Sequence, residues 1–122
     1  MKRSPVTPSL YVPDISTTLD FDVSSLGFAQ TAAYKGEDGA AIWAEVALNE
    51  ARIWFFTGAL ETQPGPAFSG LIYIFVPDVD ALATSLEGKV PFEWGPETQE
   101  YGLREVGIRD VNGYYLVFAQ DV

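Results

Sequence analysis

An α+β fold built from two tandem βαβββ modules is predicted by three features of the chain: a repeated helix start, a repeated apolar hairpin, and one stretch rich in glycine and proline between the copies. The helix start is Val12-Pro13-Asp14-Ile15, which returns as Val76-Pro77-Asp78-Val79. The hairpin is Glu45-Val46-Ala47-Leu48, a short turn, then Ile53-Trp54-Phe55-Phe56; it returns as Glu105-Val106-Gly107-Ile108, a turn, then Tyr115-Leu116-Val117-Phe118. Ala59 to Ser69, with Pro64, Pro66, Gly58, Gly65 and Gly70 in or beside it, reads as the linker. A single domain is expected, with one module at about 6–57, a linker at about 58–70 and a second module at about 71–119. Each half buries too little surface to stand alone, so the two should pack as one curved mixed sheet, with a cup on one side and helices on the other.

Val6 to Val12 reads as the first strand, with Leu10 and Val12 on one face and Thr7, Ser9 and Tyr11 on the other. Pro8 places it at a sheet edge. Asp14 is a good N-cap; Ile15, Leu19, Val23 and Leu26 recur at helical spacing, and Gly27 closes the helix. A strand from Phe28 to Tyr34 follows, then a turn over Lys35-Gly36-Glu37-Asp38-Gly39 and an antiparallel pair, Ala40 to Leu48 and Arg52 to Thr57. After the linker, Leu71 to Val76 is an apolar strand, and Val79, Leu82, Ala83 and Leu86 mark a second helix closed by Gly88. The closing hairpin turns at Asp110-Val111-Asn112-Gly113, where Asp supplies a side-chain acceptor and Gly a positive φ.

Composition narrows the function classes. Aromatic residues make up 14% of the 122, more than a core of this size requires, so some should line a surface. Seven Lys and Arg stand against seventeen Asp and Glu, a net charge of -10, which repels nucleic acid and anionic membranes and attracts cations. The chain has no Cys and no His, so thiolate nucleophiles, zinc-thiolate sites and the commonest metal ligand and proton shuttle are excluded. No run is long enough to span a bilayer, and a cytoplasmic location is expected.

The paired modules, the Val-Pro-Asp helix starts, Leu26-Gly27-Phe28, and Tyr101-Gly102-Leu103-Arg104-Glu105 leading into Asp110-Val111-Asn112-Gly113 together resemble the vicinal oxygen chelate superfamily. That superfamily includes glyoxalase I, extradiol dioxygenases and the bleomycin resistance proteins. The resemblance implies four metal-ligand positions in the enzymes of the group, which fall here on Thr7, Phe55, Leu71 and Val117. Only Thr7 carries a donor, so neither a metal nor any other cofactor is expected. The chain is most similar to the metal-free bleomycin resistance type, whose Trp-Gly-Arg-Glu-Phe segment corresponds to Tyr101-Gly102-Leu103-Arg104-Glu105-Val106. Homodimerisation is implied by the same resemblance.

Strand alternation, started from Val117, puts Tyr115, Glu105, Gly107 and Arg109 on the cup face, with Trp43, Glu45, Ala47, Asn49, Ile53 and Phe55 as the first-half counterparts. Leu71, Tyr73 and Phe75 join them from the fifth strand, and Tyr11 from the first. The candidate ligand-binding set is Tyr11, Trp43, Glu45, Tyr73, Phe75, Tyr101, Glu105 and Tyr115, with no catalytic residue identified. Ordinary packing accounts equally well for the aromatics, and an ion pair with a nearby Arg for the two glutamates. The expected function is binding of an aromatic small molecule, with a cation favoured by the charge. The alternatives are a lyase, isomerase or dioxygenase-like enzyme, and an interaction module with a filled cup.

Overall fold

The computed structural model describes residues 5–58 and 65–122, so most of the expected linker lies outside the described residues. The chain divides into two compact units, Met1–Phe68 and Ser69–Val122. Each is a βαβββ module with its own four-stranded mixed sheet.

In the first unit, β1 (Ser9–Tyr11), β2 (Ala29–Lys35), β3 (Ala41–Leu48) and β4 (Ala51–Phe56) are ordered β1-β4-β3-β2, with β1 parallel to β4 and the other pairs antiparallel. β1 is shorter than the expected strand but does lie at an edge, and Leu10 and Val12 are buried. Asp14 caps α1 (Ile15–Leu19) by accepting from the Thr17 amide at 3.2 Å. The chain then widens into a π-helical turn, Asp20–Ser25. This shifts the buried stripe to Ile15, Thr18, Asp22 and Leu26, whereas uniform helical spacing predicted Leu19 and Val23; Val23 is exposed. Gly27 ends the turn at φ 86°.

The second unit repeats this plan with β5 (Leu71–Phe75), α2 (Val79–Leu86), β6 (Trp94–Thr98), β7 (Leu103–Arg109) and β8 (Tyr115–Asp121), ordered β5-β8-β7-β6. Asp78 caps α2 through the Ala81 amide at 3.0 Å. Ile72, Ile74, Val106, Ile108, Leu116 and Phe118 are all buried and alternate along their strands.

The register corrects one expectation. β4 pairs with β3 as Glu45↔Trp54 and Trp43↔Phe56, so Trp54 and Phe56 share the face of Glu45, while Ile53 and Phe55 are buried on the opposite face with Ala44 and Val46. Matching the last phenylalanine of each hairpin had put Ile53 and Phe55 beside Glu45. The parallel pairs give the true equivalence, because Leu10 lies opposite Phe55 and Ile74 opposite Phe118. The β3–β4 hairpin closes tightly with Leu48↔Ala51, whereas the β7–β8 hairpin closes at Arg109↔Tyr115. The two connections differ by an odd number of residues, and a slip of odd length reverses every side chain on a strand.

The β7–β8 turn is held by Asp110, which is buried and accepts at Oδ1 from the Asn112 and Tyr114 amides at 2.9 and 2.8 Å. Burial pushes its carboxyl above the ordinary Asp range, and backbone hydrogen bonds pull partly back. The stability this group contributes is therefore full below the ordinary pKa and is lost as pH rises through the raised folded value. Replacing it with Ala removes the acceptor and should cost about 1–3 kcal/mol in urea unfolding. Asp110→Asn, which keeps an acceptor, should cost less, and its stability relative to wild type should improve from about pH 4 upward. A flat difference between pH 3 and 7 would remove the assigned titration.

Candidate functional site

In the second sheet, β7 turns Glu105, Gly107 and Arg109 to the same face as Tyr115, Val117 and Ala119 of β8, and the β5 pairing adds Leu71, Tyr73 and Phe75. Trp94 of β6 lies opposite Gly107 on that face. Glu105 is 2% exposed. Its Oε1 accepts from the Tyr101 hydroxyl at 2.7 Å and from the Trp94 indole Nε1 at 3.2 Å. Its Oε2 is buried and has no donor among the described residues. The Tyr101 hydroxyl is also 3.4 Å from that of Tyr73, so two phenols run from the surface to the carboxylate. The hydrogen bonds to Tyr73 and then to Glu105 hold the Tyr101 phenol above the usual tyrosine range, so it remains a donor at any physiological pH.

Neither nearby arginine pairs with Glu105. Arg104 is turned away by strand alternation and makes a forked contact with Asp80 of α2, which lowers the Asp80 pKa. Arg109 lies over the Tyr115 ring at 5.3 Å. Tyr115 in turn stacks on Trp94 with ring centroids 6.3 Å apart. The predicted residues Tyr73, Phe75, Tyr101, Glu105 and Tyr115 thus come together on one face. Phe75 and Tyr101 are 56% and 61% exposed there.

The other three predicted residues, Tyr11, Trp43 and Glu45, share one face of the first sheet. Glu45 is buried, with Oε1 accepting from the Thr31 hydroxyl at 2.6 Å and Oε2 from the Trp54 indole at 2.7 Å. Trp43 meets Trp54 edge-on, as Tyr11 meets Phe56.

Each glutamate therefore has a tryptophan donor, Trp54 or Trp94, and neither tryptophan was in the predicted set. Both glutamates also lie beside an irregularity in an edge strand. The register of β2 shifts between Gln30 and Ala32, which leaves Thr31 as the extra residue, and the register of β6 shifts between Trp94 and Glu97. Glycine makes the second arrangement fit: Gly95 adopts φ 79° against the Glu105 carbonyl, and Gly107 leaves room for the Trp94 ring.

The fold and this face define a protein of duplicated βαβββ modules with aromatic side chains around a buried carboxylate. The family model of the Glyoxalase/Bleomycin resistance protein/Dioxygenase superfamily matches residues 5–118, and the chain belongs to that superfamily. Among solved structures it is similar to TnmS3, an antibiotic binding protein from Streptomyces sp. CB03234, with 28% identity, a TM-score of 0.76, and 100% and 99% of the two chains covered. A glyoxalase/bleomycin resistance protein from the same organism is 28% identical with a TM-score of 0.74, covering 96% of this chain and 100% of that one. TioX from Micromonospora sp. ML1 shares the fold, at 17% identity and a TM-score of 0.78 over 98% and 100% of the chains. A search of curated proteins found no matching relative.

The superfamily's enzymes imply a divalent metal, and the residues here do not fit one. The corrected register moves the β4 position from Phe55 to Trp54, so the four positions carry a hydroxyl, an indole and two aliphatic side chains, Thr7, Trp54, Leu71 and Val117. No group of three His, Cys, Asp or Glu among the described residues is placed to hold a metal ion.

The packing at Gly107 predicts a specific lesion. A methyl group there would lie 2.5 and 2.6 Å from Cζ2 and Cδ2 of Trp94, so the indole must move and release Glu105. Gly107→Ala should lower stability by about 1–3 kcal/mol and shift the tryptophan emission and near-ultraviolet dichroism. Unchanged spectra would mean that the indole does not rest on Gly107.

Proposed function

We propose that the chain is a metal-free, non-catalytic binding protein that holds an aromatic cation on the Glu105 face of its second sheet. Tyr73, Phe75 and Tyr115 supply ring contacts, Glu105 supplies the charge beneath Tyr101, and the first-sheet face of Tyr11, Trp43 and Glu45 is a subsidiary aromatic surface. The observation that carries this reading is a carboxylate 2% exposed, beneath exposed rings, whose partners among the described residues are all neutral. A buried anion without a cationic partner is costly, and a bound cation relieves that cost. Ring stacking and cation–π contacts add about 0.5–2 kcal/mol each. The net charge of -10 favours the approach of cations. The similarity to TnmS3, an antibiotic binding protein, supports a small-molecule ligand of the antibiotic kind. The proposal includes a cytoplasmic homodimer and no nucleic-acid or membrane partner; no described helix is long and apolar enough to cross a membrane.

The test is a titration of planar cationic drugs followed by tryptophan fluorescence, with equilibrium dialysis as an independent readout. Saturable binding should weaken by roughly tenfold in Glu105→Gln, and added salt should slow association. Tight binding of a neutral or anionic compound that is indifferent to Glu105→Gln would refute the charge argument. Turnover of a bound compound would place the chain among the enzymes. Metal analysis of protein prepared without chelator should give well below one equivalent of any divalent ion, and a tightly held equivalent that raises the melting temperature would overturn the metal-free reading.

A further inference from the structure

The two buried glutamates differ in how their donors are arranged. At Glu45 the donors are divided, with the Thr31 hydroxyl on one oxygen and the Trp54 indole on the other. At Glu105 both donors converge on Oε1, and Oε2 is buried with no donor among the described residues. Buried carboxylate oxygens are normally satisfied, because desolvation is not otherwise repaid.

The two donors on Oε1 also differ in how firmly they are held. Trp94 lies over Gly107 and stacks on Tyr115, and any outward shift would forfeit both contacts. Tyr101 sits in the turn between β6 and β7, next to Gly102 at φ 89°, and is 61% exposed while the carboxylate it covers is 2% exposed. Tyr101 is therefore the layer between Glu105 and solvent, and it can rotate away without disturbing a packed core.

We propose that Glu105 Oε2 is a reserved acceptor for an N–H donor on the ligand, and that Tyr101 is the gate that must swing aside for the donor to reach it. This rests on the reading of the second-sheet face as a cation site and narrows its ligand class. The ligand carries an amidinium, guanidinium or primary or secondary ammonium beside a flat ring. A quaternary cation has the charge but no hydrogen to give, and it leaves Oε2 unsatisfied. Once Tyr101 is displaced, Oε1 and Oε2 together offer the edge that a forked N–H cation fits. Tyr101→Phe removes the phenol's competing hydrogen bond while retaining the ring.

The experiment uses two planar monocations of similar size: proflavine, which bears N–H donors, and N-methylacridinium, which bears none. Each is titrated against wild type, Glu105→Gln, Tyr101→Phe and the exposed turn variant Glu37→Gln by dialysis and fluorescence, with melting curves to confirm folding. Wild type should prefer proflavine by roughly tenfold or more, the worth of one charge-assisted hydrogen bond. Glu105→Gln should abolish most of that preference, Tyr101→Phe should tighten proflavine alone by a few-fold, and Glu37→Gln should leave the preference unchanged. Equal affinity of the two dyes for wild type, with equal losses in Glu105→Gln, would mean that the face reads charge only; the reserved acceptor would then fall while the cation site stands. Weaker proflavine binding in Tyr101→Phe would make Tyr101 a ligand contact and overturn the gate. If neither dye saturates, the cation site itself fails and this proposal fails with it. Should Glu105→Gln not fold, the wild-type preference and the direction of the Tyr101→Phe effect decide the matter.

Discussion

A carboxylate taken out of water must be met by donors, and in both halves of this chain the first donor is an indole. Trp54 donates to Glu45 and Trp94 to Glu105, each from a strand adjacent to the glutamate's own. A hydrogen bond to a charged group is worth about 1.5–3 kcal/mol when made, and its loss leaves a buried charge exposed to the full desolvation cost. The indole must therefore be held in place, and much of the surrounding backbone serves that end. On the second sheet, Gly107 opens the floor for the ring, Gly95 permits the sharp bend beside it, and Tyr115 closes its flank. On the first sheet, an edge-strand bulge turns Thr31 inward to complete the set on Glu45. Each module holds a buried carboxylate with an indole donor, but at different register positions, since Gly107 stands where Glu45 does; the second donor is a short threonine in one and an exposed tyrosine in the other. Both oxygens of Glu45 therefore have donors, whereas Oε2 of Glu105 has none among the described residues.

The fold was legible because its signals are local and repeated. Asp14 and Asp78 cap their helices, Gly27 and Gly88 end them with positive φ, and Asp110 and Gly113 set the last turn. Each of these is decided within a few residues, where chain chemistry and structure coincide. The π-helical turn was not legible, since a widened turn over Asp20–Ser25 leaves no mark in apolar spacing beyond a misplaced stripe. Asp22 is fully buried there, while Val23 points to solvent.

The site was legible only in part, and the failures share a cause. Seven of the eight predicted residues lie on strands with the alternation expected, Tyr11, Trp43 and Glu45 on one face of the first sheet and Tyr73, Phe75, Glu105 and Tyr115 on one face of the second, while Tyr101 lies in the β6–β7 turn. Alternation cannot carry a face assignment across a turn of unknown length, and that is how Ile53 and Phe55 were exchanged for Trp54 and Phe56. Thr31 and Trp94 were missed for a related reason, since their aim depends on bulges that no residue pattern announces. Glu105 itself was visible as a charged residue on an apolar strand, but its partners were not. An arginine was the natural expectation, and Arg104 instead faces Asp80 on the other side of the sheet.

The same geometry fixes the Tyr101 phenol against Glu105. Its hydrogen bonds to Tyr73 and then to Glu105 hold the phenol above the usual tyrosine range, so it stays a donor to the carboxylate. A phenol locked as a donor is suited to holding and covering a carboxylate. Binding of the proposed cation there would be graded by two fields of different reach. The overall charge of -10 acts over about a Debye length and raises the encounter rate of any cation, whatever its shape. The exposed rings and the buried oxygen act only at contact, where a flat ring with a correctly placed N–H is separated from a simple inorganic ion. Salt weakens the first and leaves most of the second, so discrimination among ligands should survive conditions that slow their arrival.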